Sequence, residues 1–168
     1  MLRHKNKNLF GFTLIELLVV ISIIALLSSV ALIAFQSART KSRNVKRLSD
    51  MTQMNTALEL YFATNKGYPS SASGVPQGLQ PQYASTLPLA PEPADGVCVG
   101  LMHSAGCVAD DAGCANVPAN SYYYTALGTA FNVTGVPVYP SYTYYFCLGA
   151  QTGDFSEGER VLTSTGVK

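Results

Sequence analysis

A chain of 168 residues is long enough for one domain besides a membrane anchor. The formal net charge is only +1, but it is unevenly placed: residues 39–66 hold six basic and two acidic side chains, and residues 67–168 hold two basic and seven acidic ones. The acidic segment argues against direct contact with nucleic acid, because phosphate binding needs a basic patch.

In chain order, Arg3, Lys5 and Lys7 come first. Glu16 follows, and then an uncharged apolar run from Leu17 to Ala38. As a helix that run is about 33 Å long, enough to span a bilayer. An ordinary signal peptide has an apolar stretch of only about 7–15 residues and a small-residue cleavage site on its far side. A carboxylate at membrane depth costs on the order of 2.5–3.5 kcal/mol on insertion scales. Glu16 therefore calls for a cationic partner, and a newly exposed amino terminus at Phe12 would supply one.

The segment GFTLIELLVVISIIALL resembles the processing and anchor region of type IV pilins and type II secretion pseudopilins. The resemblance is close over about Leu9–Ala38 and loose up to Pro69. It implies that a prepilin peptidase cuts between Gly11 and Phe12 and methylates the new amine of Phe12. It also implies that Glu16 pairs with the terminal amine of a neighbouring subunit during filament assembly. Many family members carry a helix-breaking proline or glycine in the membrane half. This chain departs from that pattern and has only Ser22, Ser28 and Ser29 there. The stretch GYPSSASGVPQGL is similar to the segment after the helix in major pseudopilins, whereas a long cysteine-bearing loop is closer to surface-displayed pilins.

The expected organisation is a leader (1–11, removed), a transmembrane and assembly helix (12–38), an amphipathic continuation (39–66) and an extracytoplasmic head (67–168). Charge counting conflicts with this topology: five basic residues (Arg39, Lys41, Arg43, Lys46, Arg47) follow the span closely, which favours a cytoplasmic downstream side. Long domains translocate regardless of charge, and four cysteines favour an oxidising compartment. Residues 1–11 are therefore placed in the cytoplasm. The chain is expected in the inner membrane before assembly and in a surface or periplasmic filament afterwards.

From Phe12 to Lys66 there is no glycine or proline. Val45, Leu48, Met51, Met54, Leu58, Tyr61 and Phe62 recur at helical steps and predict a stripe that packs on a sheet. A continuous helix from Phe12 to Asn65 would be about 80 Å long. Gly67 and Pro69 read as its stop. Tyr68–Ala119 reads as a long ordered loop with short elements. Ser121–Leu127, Tyr139–Leu148 and Arg160–Thr163 read as strands, with Tyr142, Tyr144 and Phe146 on one face of the second and Thr143, Tyr145 and Cys147 on the other. The fold class is α+β: a long N-terminal helix packed on a small antiparallel β-sheet, the plan that pilins share.

Cys98, Cys107, Cys114 and Cys147 are an even set in the translocated part, so two disulfides are expected, with three possible connectivities. One bridge should tie the loop to the sheet, with Cys114–Cys147 preferred. A zinc site is disfavoured, because no C-x-x-C pair exists and His103 is the only histidine in the head.

No catalytic cluster surrounds His103, and no phosphate loop is present, so an enzyme is not expected. The tyrosines at 122, 123, 124, 139, 142, 144 and 145 read as strand formers, with a sugar-binding surface as the other reading. Asp154, Glu157 and Glu159 near a turn make a calcium ion conceivable, but their spacing is not that of an EF-hand; a solvated acidic turn is the expected reading. The basic run reads as a solvated face near anionic lipid, or as one half of a basic-stem, acidic-head attraction between subunits. The expected function is a structural filament subunit, with prepilin peptidase, copies of itself, other pilin-like subunits, the inner-membrane assembly platform and the bilayer as partners. The rival is a single-pass anchored binding protein that does not polymerise.

Overall fold

The computed structural model describes residues 12–99, 121–133 and 135–168. One helix, α1, runs from Leu14 to Asn65. Short strands β1 (Ser71–Ala72) and β2 (Val75–Pro76) form a hairpin, and a 3-10 turn covers Gly96–Val99. Then come β3 (Tyr123–Leu127), β4 (Phe131–Val133), β5 (Val136–Val138), β6 (Ser141–Leu148), β7 (Gly158–Thr163) and β8 (Gly166–Val167). Among the described residues the main sheet has the order β3-β6-β7-β8, every pair antiparallel. The architecture is therefore α+β. The chain divides into two compact units after Ala38.

The first unit is apolar and exposed. Leu14, Ile15, Leu26, Leu27, Val30 and Ile33 each leave more than 60% of their surface uncovered, and the helix is long and apolar enough to cross a membrane. Its serines do not interrupt it. Ser22 Oγ donates to Val19 O and Ser29 Oγ donates to Leu26 O, both at 2.7 Å. Hydroxyls satisfied within their own helix carry no unpaired donor into an apolar surround.

The second unit has one core. Met51, Met54, Leu58 and Tyr61 from α1 meet Tyr124, Tyr142, Tyr144, Phe146, Leu148 and Leu162 from the sheet. The stripe differs from its expected course at both ends. Val45 is 58% exposed and Phe62 is 37% exposed. Asn44, Arg47 and Asp50 are buried instead. The 3.6-residue period continues through residues 44, 47, 51, 54 and 58, so the buried face turns polar toward its N-terminal end. An apolar-only template cannot follow it there.

The helix stop also works differently from the glycine reading. Lys66 itself takes the left-handed conformation (φ 61°), and its N–H donates to Phe62 O at 2.7 Å. Gly67 serves a close approach: a Cβ there would lie 2.6 Å from Val138 Cγ2. Next to it, Tyr68 and Tyr139 exchange backbone hydrogen bonds of 2.8 and 2.9 Å. β3 and β6 start two residues later than expected, at Tyr123 and Ser141, and β7 starts two residues earlier, at Gly158.

The tyrosines do not form an exposed surface. Tyr123, Tyr124, Tyr142, Tyr144 and Tyr145 are each at most 5% exposed, which removes them as a sugar-binding platform. Tyr142 and Tyr144 face α1 as the strand alternation predicts, and the opposite face is buried as well, at Tyr145 and Cys147. Four tyrosine hydroxyls donate to acceptors inside the fold. Tyr142 donates to Asn55 Oδ1 (2.9 Å), Tyr124 to Pro69 O (2.8 Å), Tyr122 to Asp50 Oδ2 (2.8 Å) and Tyr68 to Glu59 Oε1 (2.8 Å).

Candidate assembly site

Thr13 and Glu16 open α1 together. Glu16 N–H donates to Thr13 Oγ1 (3.3 Å), while Thr13 N–H (3.0 Å) and Thr13 Oγ1 (2.8 Å) both donate to Glu16 Oε2. This is a reciprocal capping box, which satisfies helix-end donors that have no intrahelical partner. The sequence reading of Glu16 as a charge in need of a partner left out this local one. The signal was present as a Thr-x-x-Glu spacing directly before the apolar run. Both bonds from Thr13 fall on Oε2, and Oε1 makes no hydrogen bond among the described residues. Phe12 lies beside this cap with 84% of its surface exposed. Gly11, the other residue of the expected cleavage site, lies outside the described residues.

The basic segment after Ala38 is only partly solvated. Asp95 accepts from Arg43 Nε (2.7 Å), from Arg43 Nη2, from Arg47 Nη1 (3.3 Å) and from Thr40 Oγ1 (3.2 Å). Arg47 is 1% exposed and also donates to Asn44 Oδ1 (2.8 Å) and Pro91 O (3.3 Å). Asn44 uses both ends of its amide: Nδ2 donates to Ala150 O (2.8 Å) and Thr152 Oγ1 (2.9 Å), and Oδ1 also accepts from Gly149 N–H (3.1 Å). Lys46 pairs with Asp50 at 2.9 Å. The hydrogen bond from Arg43 holds the Asp95 carboxyl below the usual carboxylate range, and Asp95 in turn raises the Arg43 guanidinium. The solvated-face expectation is thus corrected at Arg43 and Arg47, which tie α1 to the loop of Pro91–Asp95.

That loop leads into the disulfide. Cys98 is bonded to Cys147 across 49 residues of sequence. The bridge does tie the loop to β6, but the preferred Cys114–Cys147 pairing is wrong, since Cys147 is already taken. The partner follows from the Asp95 anchor and from close backbone packing, in which a Cβ on Gly149 would lie 2.3 Å from Asp95 Cβ. Cys107, Cys114 and His103 lie outside the described residues.

Asp154, Glu157 and Glu159 are not brought together. Among the described residues no group of three His, Cys, Asp or Glu side chains converges. Arg160 occupies this turn, with Nη2 donating to Ser156 O (2.9 Å) and Glu157 O (3.3 Å). Two carbonyls that could face a cation are thereby bonded to a guanidinium. A cavity of about 460 Å³ lies between the β1–β2 hairpin, the Leu87–Glu92 loop and Tyr122. Its titratable lining groups are Glu92, Tyr122 and Tyr144, which do not make a nucleophile and base pair.

Comparison with known proteins places these features in a family. The family described as "Prokaryotic N-terminal methylation motif" matches residues 6–32. The type II secretion system core protein G of Escherichia coli (strain K12) is 35% identical over 78 residues, covering 46% of this chain and 52% of that protein. The fimbrial protein EcpC of Eikenella corrodens is 29% identical over 108 residues, covering 63% and 69%. The chain spans about half the length of the type II secretion relatives it matches. No solved structure matches the chain. The type IV wide pilus major component PilA4 of Thermus thermophilus is 33% identical over 104 residues, which cover 61% of this chain and 79% of that protein. With its methylation motif, its apolar N-terminal helix and its antiparallel head, this chain belongs to the type IV pilin and pseudopilin family.

Proposed function

We propose that this chain is a structural subunit of a type IV pilus or type II secretion pseudopilus. Prepilin peptidase cuts it between Gly11 and Phe12 and methylates the new amine. Before assembly the Leu17–Ala38 segment lies in the inner membrane, with residues 1–11 in the cytoplasm and the head outside. The subunit then polymerises with copies of itself and pilin-like partners on an inner-membrane platform. The observation that carries this reading is the uncovered apolar surface of α1 from Leu14 to Phe35, in which Glu16 is the one charged side chain. A surface of that size is not left in water. Lipid covers it first, and the same surface of neighbouring copies covers it after assembly. Head-to-tail contacts of this kind do not close and so extend helically.

Glu16 gives the register. An entering subunit leaves Glu16 Oε1 without a partner unless a neighbour's Phe12 amine reaches it. The test is the intact mass and N-terminal sequence of the protein from its native membrane, together with filament yield from Glu16→Ala. The expected result is a chain starting at Phe12 with an added methyl group, and a Glu16→Ala variant that inserts but does not assemble. A chain still starting at Met1 with the peptidase present would favour the anchored, non-polymerising protein.

A further inference from the structure

A row of aromatic rings runs through the core of the head. Phe62, 37% exposed, lies on Tyr68 with ring centroids 4.9 Å apart, and Tyr68 meets Tyr142 at 4.6 Å. Tyr142 stacks on Tyr124 at 5.8 Å, Tyr124 meets Tyr144 at 5.8 Å, and Tyr144 meets Tyr122 at 6.3 Å. These are the spacings of directly packed rings. An electron vacancy on one of them can pass to the next without crossing solvent.

The phenols differ in where they can send a proton. A phenol that loses an electron becomes a strong acid, and a base within hydrogen-bond reach takes that proton at once. Tyr124 donates to Pro69 O and Tyr142 to Asn55 Oδ1, which are neutral acceptors. Among the described residues two phenols of the row donate to a carboxylate: Tyr122 to Asp50 Oδ2 and Tyr68 to Glu59 Oε1, both at 2.8 Å. Asp50 also balances Lys46 at 2.9 Å, so a proton taken up there would leave that cation without its anion. Glu59 has no ion pair among the described residues. The Ser164 hydroxyl bonds the Tyr68 phenol as well. Tyr68 is only 4% exposed, which shields a radical there from coupling with another molecule.

We propose that Tyr68, paired with Glu59, is a one-electron redox site, where an electron vacancy formed anywhere on the ring row comes to rest. The oxidant is a diffusing radical, which takes one electron and is itself reduced. The Tyr68 O–H bond breaks, its proton crosses the existing hydrogen bond to Glu59 Oε1, and a neutral phenoxyl radical and a carboxylic acid remain. A one-electron reductant of the hydroquinone or ene-diol class returns the electron, and Glu59 returns the proton. Met51 and Met54 share this core, and the site spares their sulfurs from oxidation to the sulfoxide.

The test oxidises the full chain, in detergent micelles, with azide radicals from pulse radiolysis. Phenoxyl absorption follows the radical, and electron paramagnetic resonance of freeze-quenched samples identifies it. The native chain should converge on one long-lived species that is absent from Tyr68→Phe, with more sulfoxide at Met51 and Met54 in that variant. Glu59→Gln keeps a hydrogen-bond acceptor but removes the base, and should slow formation of that species by about 100-fold. Tyr145→Phe, buried but off the row, should change nothing. Thermal unfolding of each variant checks the fold, and Glu59→Gln carries the test if Tyr68→Phe does not fold. A radical spread over many tyrosines, one that persists in Tyr68→Phe, or an unchanged rate in Glu59→Gln overturns the proposal and leaves the Glu59 bond as a structural one.

Discussion

Arg43 grips Asp95 with two prongs: Nε lies 2.7 Å from Oδ2 and Nη2 reaches Oδ1. Arg47 approaches the same carboxylate at 3.3 Å from a position 1% exposed. Removing the carboxylate takes the anionic partner from a buried guanidinium that keeps only neutral acceptors such as Asn44 Oδ1 and Pro91 O, whereas removing Arg43, with 22% of its side chain exposed, leaves the Asp95–Arg47 pair in place. Asp95→Ala should destabilise the head by about 3–5 kcal/mol, and Arg43→Gln by about 1 kcal/mol, in the range of partly exposed pairs. Urea unfolding of the two variants measures the order. Equal effects would mean that Arg47 does not depend on Asp95.

The same pair sets an acid limit. Asp95 titrates below its unfolded value of about 3.9. A depressed folded pKa contributes stability that is present above the unfolded value and lost as pH falls through the folded one. The gap between native protein and Asp95→Asn should therefore be flat from neutral pH to about pH 5 and narrow below about pH 4. Unfolding free energy measured across that window checks it, and a gap that stays constant down to pH 2 counts against the linkage.

Why was this network hard to read in the sequence? The apolar half of the stripe, Met51, Met54, Leu58 and Tyr61, was legible because its period and its chemistry agree. Asn44 and Arg47 keep the period but change the chemistry, and their partners at Gly149, Thr152 and Asp95 are 48 or more residues away. Nothing local announces such a pairing. Gly67 reads as the stop in the sequence, but Lys66 makes the left-handed turn, and the role of Gly67 depends on Val138, again a distant contact. The Thr13–Glu16 cap is local, and its Thr-x-x-Glu spacing stands in the sequence directly before the apolar run.

Cys98 and Cys147 close a loop with a sequence separation of 49. Chain entropy puts the stabilisation from such a loop at about 4 kcal/mol. Cys98→Ser should lower the melting temperature by roughly 10 °C or more for a head of this size. Non-reducing digestion should yield a linked peptide pair carrying Cys98 and Cys147. A Cys114–Cys147 link in that digest would overturn the assignment.

Burial, together with the Glu59 hydrogen bond, pushes the Tyr68 phenol up to about 12. Burial also raises Tyr122, Tyr124, Tyr142 and Tyr144. A raised folded pKa contributes stability that is fully present below the unfolded value near 10 and is lost as pH rises through the folded one. Absorbance at the phenolate band should therefore show these tyrosines silent at about pH 10–11, then ionising together as the head unfolds. Gradual ionisation of all tyrosines near pH 10, with the fold intact, would contradict the buried aromatic core.

Under the proposed pairing of Glu16 with a neighbour's Phe12 amine, Thr13 bears on assembly through Glu16. Its hydroxyl and its N–H both hold Oε2, and Oε1 makes no hydrogen bond among the described residues, which leaves it for the proposed contact. Thr13→Val keeps the shape and the N–H but removes the hydroxyl, at a capping cost of about 1 kcal/mol. Thr13→Ser restores the hydroxyl. Filament yield should therefore fall about fivefold in Thr13→Val and recover in Thr13→Ser, with processing at Gly11 and membrane insertion unchanged in both. Glu16→Ala should lose more than Thr13→Val, because it removes the oxygen left for the neighbour as well as the cap. If Thr13→Val assembled as well as the native chain, Glu16 would find its neighbour without being held, and Thr13 would be a helix cap with no part in assembly.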